Sequence, residues 1–155
     1  MNFKRYLERI SYSGNTDPTL ATLRALHVAH LIAVPFENLN IHLHQPILLE
    51  INWLFDKIVT RGHGGFCYEL NGLFAWLLRE LGFKVTMLNA RVHNGDGVYG
   101  IEFDHMVLRV ELDEAWLADE WKYLIRGSAL EKGDIETVVK LSPTDKVIII
   151  TVYAL

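Results

Sequence analysis

Gly62-His63-Gly64-Gly65-Phe66-Cys67-Tyr68-Glu69-Leu70-Asn71 runs from a glycine turn straight into an apolar periodic stretch. Leu70, Leu73, Phe74, Leu77, Leu78 and Leu81 follow at the helical period and predict one long helix with Gly82 at its C-terminal cap. Toward the N-terminus, Phe3, Tyr6, Leu7 and Ile10 share one helical face, and Leu20, Leu23, Leu26, His27, His30 and Leu31 another. Thr16 or Asp17 is suited to cap that second helix with Pro18 at its first position, and Pro35 to end it. Ile41 to Gln45 alternates like a short extended piece, and Trp53 to Val59 reads as a short helix. After Gly82 the period changes. Lys84 to Val92 predicts a strand, Asn94-Gly95-Asp96-Gly97 a turn, and His105 to Leu112 a strand with Met106, Leu108, Val110 and Leu112 on one face. Ala115 to Asp119 predicts a partner strand and Val147 to Tyr153 a further apolar one. The fold class is α+β: a helical unit over residues 1–83, carrying the cysteine, packed on an antiparallel β unit over 84–155.

Half of the 155 residues are hydrophobic, enough for a packed interior. No apolar run approaches the ~20 residues that cross a bilayer, and the N-terminus meets charge at once, so the expectation is a soluble, cytoplasmic protein without a membrane partner. Net charge is −4 and no basic stripe tracks a phosphate backbone, which argues against nucleic acid. A single cysteine excludes an internal disulfide and a multi-cysteine zinc site, and no HExxH string is present, so no metal is expected.

Cys67 sits where the glycine turn meets the first turn of a helix. Backbone N–H groups and the positive end of the helix dipole favour a thiolate there, and the same N–H groups can stabilise an oxyanion. The residues alone leave a second reading standing, because Cys67 shares a helical face with Leu70 and Phe74 and a lone cysteine is often an inert core residue. A thiol nucleophile also needs a base, and the base an orienting carboxylate. Of seven histidines, His27, His30, His42 and His44 read as packed or solvated, and His63 and His93 lie in turns. His105 opens a buried strand, a fixed place for a side chain that must be aimed. Asp119 lies beside Trp116 and Leu117, where an unpaired carboxylate is costly, although a solvated strand end explains it equally.

Thr22-Leu23-Arg24-Ala25-Leu26-His27, Val34-Pro35-Phe36-Glu37-Asn38-Leu39-Asn40, Gly64-Gly65-Phe66-Cys67-Tyr68-Glu69-Leu70-Asn71 and His105-Met106-Val107-Leu108 resemble the arylamine N-acetyltransferase family, in order and in spacing, over residues 1 to about 119. The resemblance implies a papain-like cysteine-triad fold: a helical bundle, a β-barrel and a C-terminal α/β region, the last missing here. It implies Cys67 as nucleophile, His105 as base and Asp119 as orienting acid. It also implies ping-pong transfer from acetyl-CoA, through a Cys67 thioester, to a small arylamine or hydrazine. Phe36, Phe66 and Val92 match positions at the acceptor pocket, with core packing the other reading.

The sequence also departs from the family pattern. His63 stands where members carry arginine before the glycine pair, with Arg61 two residues earlier as a substitute to be tested. Asp119 is followed by Glu120-Trp121-Lys122-Tyr123 where members have a glycine string at the CoA site, so the cofactor-binding residues stay unassigned. A terminus reading VIIITVYAL calls for a covering layer, such as another copy in an oligomer. If Asp113-Glu114 formed a two-residue hairpin loop, Asp119 would pair with Leu108 and face away from His105. These departures keep two alternatives open: an impaired family remnant serving as a binding or assembly module, and a thiol hydrolase using the same triad.

Overall fold

The structure, a computed structural model, describes residues 1–91 and 100–112 in full, together with the backbone of three short strands at 123–124, 138–139 and 147–150. Five helices lead: α1 (Phe3–Arg9), α2 (Leu20–Ala33), α3 (Leu39–His42), α4 (Ile51–Phe55) and α5 (Cys67–Glu80). The strands are β1 (Lys84–Ala90), β2 (His105–Glu111), β3 (Tyr123–Leu124), β4 (Val138–Val139) and β5 (Val147–Ile150). The mixed helix-then-strand order agrees with the expected α+β class. Among the described residues the sheets stay open: β1-β2-β5 forms one and β3-β4 the other, with no closed barrel.

α5 is the axis of the core. Leu70, Leu73, Phe74, Leu77 and Leu78 have no accessible surface, and neither do Tyr6 and Leu26, brought by α1 and α2. Glu69, Asn71 and Ala75 of α5 are buried as well, so the helix is enclosed on more sides than its apolar stripe implies. Gly82 follows it with φ +90°, the left-handed conformation a glycine cap adopts without Cβ strain. Leu108 and Val110 of β2 press on the same core, as the alternation predicts.

Several local expectations are corrected. The cap of α2 is Thr19, whose hydroxyl accepts the Thr22 N–H, so the helix begins after Pro18 rather than on it. α2 does end before Pro35, at Ala33. The piece around Ile41 is a single helical turn, because Asn38 and Leu39 carbonyls accept from Ile41 and Leu43. The helix expected over 53–59 becomes α4 followed by a π-helical turn, Asp56–Thr60, in which the Arg61 N–H reaches back to Asp56 C=O. That wider turn buries Lys57, Ile58 and Val59 together. β2 lies between two antiparallel neighbours, Leu108 facing Met87 on one side and Ile150 on the other. The place beside Leu108 that a tight hairpin would give to Asp119 is therefore held by Ile150. Asp119 itself, Val92, His93 and the strand expected over 115–119 lie outside the described residues.

His30 is a packed histidine, as the sequence suggests. Its Nδ1 pairs with the Tyr6 hydroxyl at 2.7 Å and its ring lies 5.0 Å from that of Phe74. Burial, reinforced by the charges of His27 and Arg9, lowers its pKa to about 3. In the unfolded chain the group titrates near 6.5, so between 6.5 and 3 the unfolded state holds a proton the folded state refuses. Stability from this group is complete above 6.5 and declines as pH falls, by about 2 kcal/mol between pH 7 and pH 5. Denaturant titrations at the two pH values should show His30→Phe losing about that much less stability than wild type. Equal losses would show that His30 does not govern the acid response.

Candidate functional site

The site is assembled where the first turn of α5 meets the first residues of β2. Two side chains of α5 lace these elements together: the Tyr68 hydroxyl donates to the Phe103 carbonyl, and Asn71 Nδ2 donates to the Met106 carbonyl at 2.9 Å. Asn71 lies about one turn beyond Cys67 on the same side of the helix. The Cys67 thiol accordingly faces the Met106 backbone N–H. Both Cys67 and His105 are buried, at 8 and 7 % exposure, and the two residues stand at the adjoining ends of α5 and β2.

The electrostatics of the thiol run against the sequence expectation. Burial raises its pKa, and the N–H groups of Met106, Tyr68 and Cys67 itself pull it down without reversing that; the Asp104 charge adds to the rise. Burial likewise lowers His105, with Asp104 opposing. Both shifts favour the neutral forms of the Cys67 thiol and the His105 imidazole over a preformed ion pair. Such an arrangement suits general-base activation at the moment of attack, in which the thiol gives up its proton as its sulfur bonds to an acyl carbon.

The glycine turn is fixed by the segment after α2. Phe36 and Gly65 form an isolated parallel bridge, with Glu37 N–H on Gly65 C=O at 2.9 Å and Gly65 N–H on Pro35 C=O at 3.3 Å. A Cβ on Gly65 would lie 2.9 Å from Glu69 Oε2, so this backbone passes too close to α5 for any side chain. Arg9 secures the other end. Its guanidinium donates to Ile58, Ala33 and Gly62 carbonyls at 3.1, 2.8 and 3.2 Å, joining α2, the π turn and the glycine turn.

Neither residue considered for the missing arginine puts a buried side chain against the turn. His63 is exposed, and Arg61 pairs with Asp56 at 2.9 Å and lies over the Trp53 ring on the surface. Among the described residues the buried lysine or arginine is Lys57. Its ammonium lies 2.9 Å from both oxygens of Glu69 and 3.5 Å from Glu37, and Glu69 Oε2 also accepts the Phe66 N–H at 3.1 Å. The strings PFEN and GGFCYE, far apart in sequence, are thus parts of one contact.

The sequence singled out Cys67 and His105, which the structure brings to one junction, and Phe36 and Phe66, which flank the glycine turn. Phe36 is 38 % exposed and Phe66 half-buried, its ring 5.9 Å from Tyr68. It passed over Lys57, Arg9, Asp104 and Phe103. Phe103 carries a positive φ of 63°, held by its N–H on Asn89 Oδ1 at 2.7 Å and by the Tyr68 hydroxyl on its carbonyl. Only its place two residues before His105 pointed that way. Among the described residues no cluster of His, Cys, Asp and Glu has the makings of a metal site, and no helix is long and apolar enough to cross a membrane.

Comparison with known proteins places the chain in one family. A profile of the N-acetyltransferase family matches residues 19–120. A chicken arylamine N-acetyltransferase, the pineal gland isozyme NAT-3, is 42 % identical over 122 residues, covering 77 % of this chain and 42 % of its own. The Escherichia coli K12 arylamine N-acetyltransferase is 42 % identical over 115 residues, covering 74 and 41 %. The crystal structure of the Nocardia farcinica arylamine N-acetyltransferase superposes with a TM-score of 0.69 at 42 % identity, over 77 % of this chain and 41 % of that one. The Mycobacterium marinum arylamine N-acetyltransferase in complex with CoA gives 0.65 at 41 % identity, over 72 and 42 %. The chain spans about two fifths of the length of the curated relatives it matches. On the profile match and these likenesses, the chain belongs to the arylamine N-acetyltransferase family.

Proposed function

We propose that this chain is an acetyl-CoA-dependent arylamine N-acetyltransferase working by ping-pong transfer through a Cys67 thioester. The observation that carries the reading is the junction of α5 with β2, where the Cys67 thiol faces the Met106 N–H one residue from His105. In the first half-reaction His105 takes the thiol proton as Cys67 Sγ bonds to the acetyl carbonyl carbon. The carbonyl oxygen gains charge, and backbone N–H groups at the start of α5 are placed to receive it. The bond to the CoA sulfur then breaks, and CoA leaves with the proton. In the second half an arylamine or hydrazine nitrogen attacks the thioester, the acetyl group moves to nitrogen, and the thiol is restored.

Asp119 is assigned the orienting role for His105 by family resemblance, and Val92 a place at the acceptor. Phe36 and Phe66 offer aromatic surface to an arylamine beside the glycine turn. Residues 1–83 thus supply the nucleophile and 84–155 the base and its orienting acid. Use of acetyl-CoA is supported by the Mycobacterium marinum relative whose structure holds CoA.

The test is the intact mass of the purified protein after incubation with acetyl-CoA. An acetyl adduct that persists without amine and disappears when an arylamine is added is the expected result. An adduct lost at the same rate without amine would instead make the protein a thiol hydrolase. No adduct on folded, reduced protein would overturn the enzymatic reading in favour of a binding module.

A further inference from the structure

We infer that Lys57 is a positioning residue for the nucleophile, setting by its charge how readily the Cys67 thiol ionises; this rests on the role proposed for Cys67. Lys57 arises from the π turn, and only 5 % of its side chain is accessible. It meets two carboxylates there, Glu69 with 1 % and Glu37 with 17 % accessible side chain. Burying an ammonium is costly unless it is paired and hydrogen-bonded, and here Glu69 offers both oxygens at 2.9 Å.

The location of this trio gives it more than a packing role. Glu69 occupies the first turn of α5, two residues after Cys67, and its Oε2 holds the Phe66 N–H, one residue before Cys67. Glu37 belongs to the segment bridged to Gly65. The Glu69 carboxylate therefore bears on the backbone that carries the thiol, Glu37 adds a second negative charge against the ammonium, and Lys57 offsets one of the two. Among the described residues, the other ionisable groups of the neighbourhood are Tyr68 on α5 and Asp104 and His105 at the start of β2; the Arg9 guanidinium lies at the far end of the turn on Gly62, and His63 faces solvent.

Removing the ammonium leaves two uncompensated carboxylates and disfavours a thiolate, whereas removing a carboxylate leaves the ammonium balanced by the other one, takes the trio from −1 to neutral and favours a thiolate. Loss of Glu69 also releases the Phe66 N–H. Single substitutions at the two ends of one ion pair should thus move the thiol in opposite directions. A part that only held the loop in place would move it the same way, or not at all, whichever end was cut.

Cys67 is the chain's only cysteine, so the pH dependence of iodoacetamide alkylation reports on it alone. Lys57→Met should slow alkylation at neutral pH about tenfold, an upward titration shift of about one unit, and Glu69→Gln should speed it several-fold. The double variant restores the trio's net charge of −1 and should return to within about threefold of wild type. Lys57→Arg, whose guanidinium fork also matches a carboxylate, should keep the wild-type profile. Shifts of the two single variants in the same direction, or unshifted profiles from folded protein, would overturn the inference. Should Lys57→Met not fold, Glu37→Gln and Glu69→Gln are each expected to speed alkylation, and failure of both to do so is equally decisive. The outcome is separable from the acetylation test: a thiol tuned by Lys57 in a protein that takes no acetyl group would retain this inference and remove the enzymatic one.

Discussion

Cys67→Ser is expected to fold as wild type does and to lose nearly all uptake of acetyl from acetyl-CoA. The substitution replaces sulfur by oxygen in a buried side chain next to the Met106 N–H, which a hydroxyl can accept from as well as a thiol can. The core around Leu70 and Phe74 loses no carbon atom, so cavity formation is not at issue. The chemistry changes far more than the packing. A serine hydroxyl is far less acidic than a thiol, and the burial that raises the Cys67 pKa weighs on an alkoxide too. A neutral imidazole at His105 is a competent base for a thiol, but it faces a much larger gap in acidity with an alcohol. The acylation rate should fall on the order of 10³-fold or more, with the far-ultraviolet spectrum and the denaturation midpoint close to wild type. The decisive comparison is the mass of both proteins after equal exposure to acetyl-CoA. Wild-type labelling of the serine variant would place the acetyl group elsewhere and end the case for a covalent role of Cys67.

The parts of this site differ in how far sequence alone reveals them. α5 and β2 are legible because their apolar residues recur at periods set by their own backbones, and the core uses those periods: Leu70, Leu73, Phe74, Leu77 and Leu78 on one, Leu108 and Val110 on the other. The piece around Ile41 misled because a two-residue alternation over five positions is indistinguishable from one exposed helical turn, and capping is what decided it. Lys57 was invisible for a different reason. A lysine between Asp56 and Ile58 reads as a solvated charge, and only the extra residue of the π turn brings it inward to Glu69. Position alone also misjudged the thiol, since a helix N-terminus argues for a depressed pKa while burial, a property of the whole fold, outweighs it. Cys67 and His105 were identified by family resemblance joined to local chemistry. Their meeting at one junction depends on the Asn71 and Tyr68 hydrogen bonds, which no periodicity encodes.

Gly64→Ala is expected to cripple the protein although it adds one methyl group. A Cβ at this position would run into the Pro35 carbonyl, with Pro35 C at 2.9 Å and Glu37 Cγ at 3.0 Å also in its way. The obstacle is backbone, so no side-chain rotation relieves it, and either the turn or the segment after α2 must shift. Such a shift strains the Gly65 N–H bond to Pro35 and the Glu37 N–H bond to Gly65, the two links that hold these segments together. Overpacking of this kind costs about 1–3 kcal/mol, and each weakened hydrogen bond about 1 kcal/mol more. Activity should suffer beyond stability, because Phe66 and Cys67 follow directly and a displacement near 1 Å at a reacting atom can cost about 100-fold. Gly72→Ala provides the contrast within α5. A Cβ there meets only Leu54 Cδ1 at 3.5 Å, an ordinary contact, and alanine is the better helix former by up to about 1 kcal/mol. Denaturation midpoints and acetyl-adduct rates of the two variants should therefore diverge, Gly72→Ala at or above wild type and Gly64→Ala well below in both. Were they to behave alike, the pressing together of the Pro35 and Gly64 backbones could not be what holds the nucleophile in place.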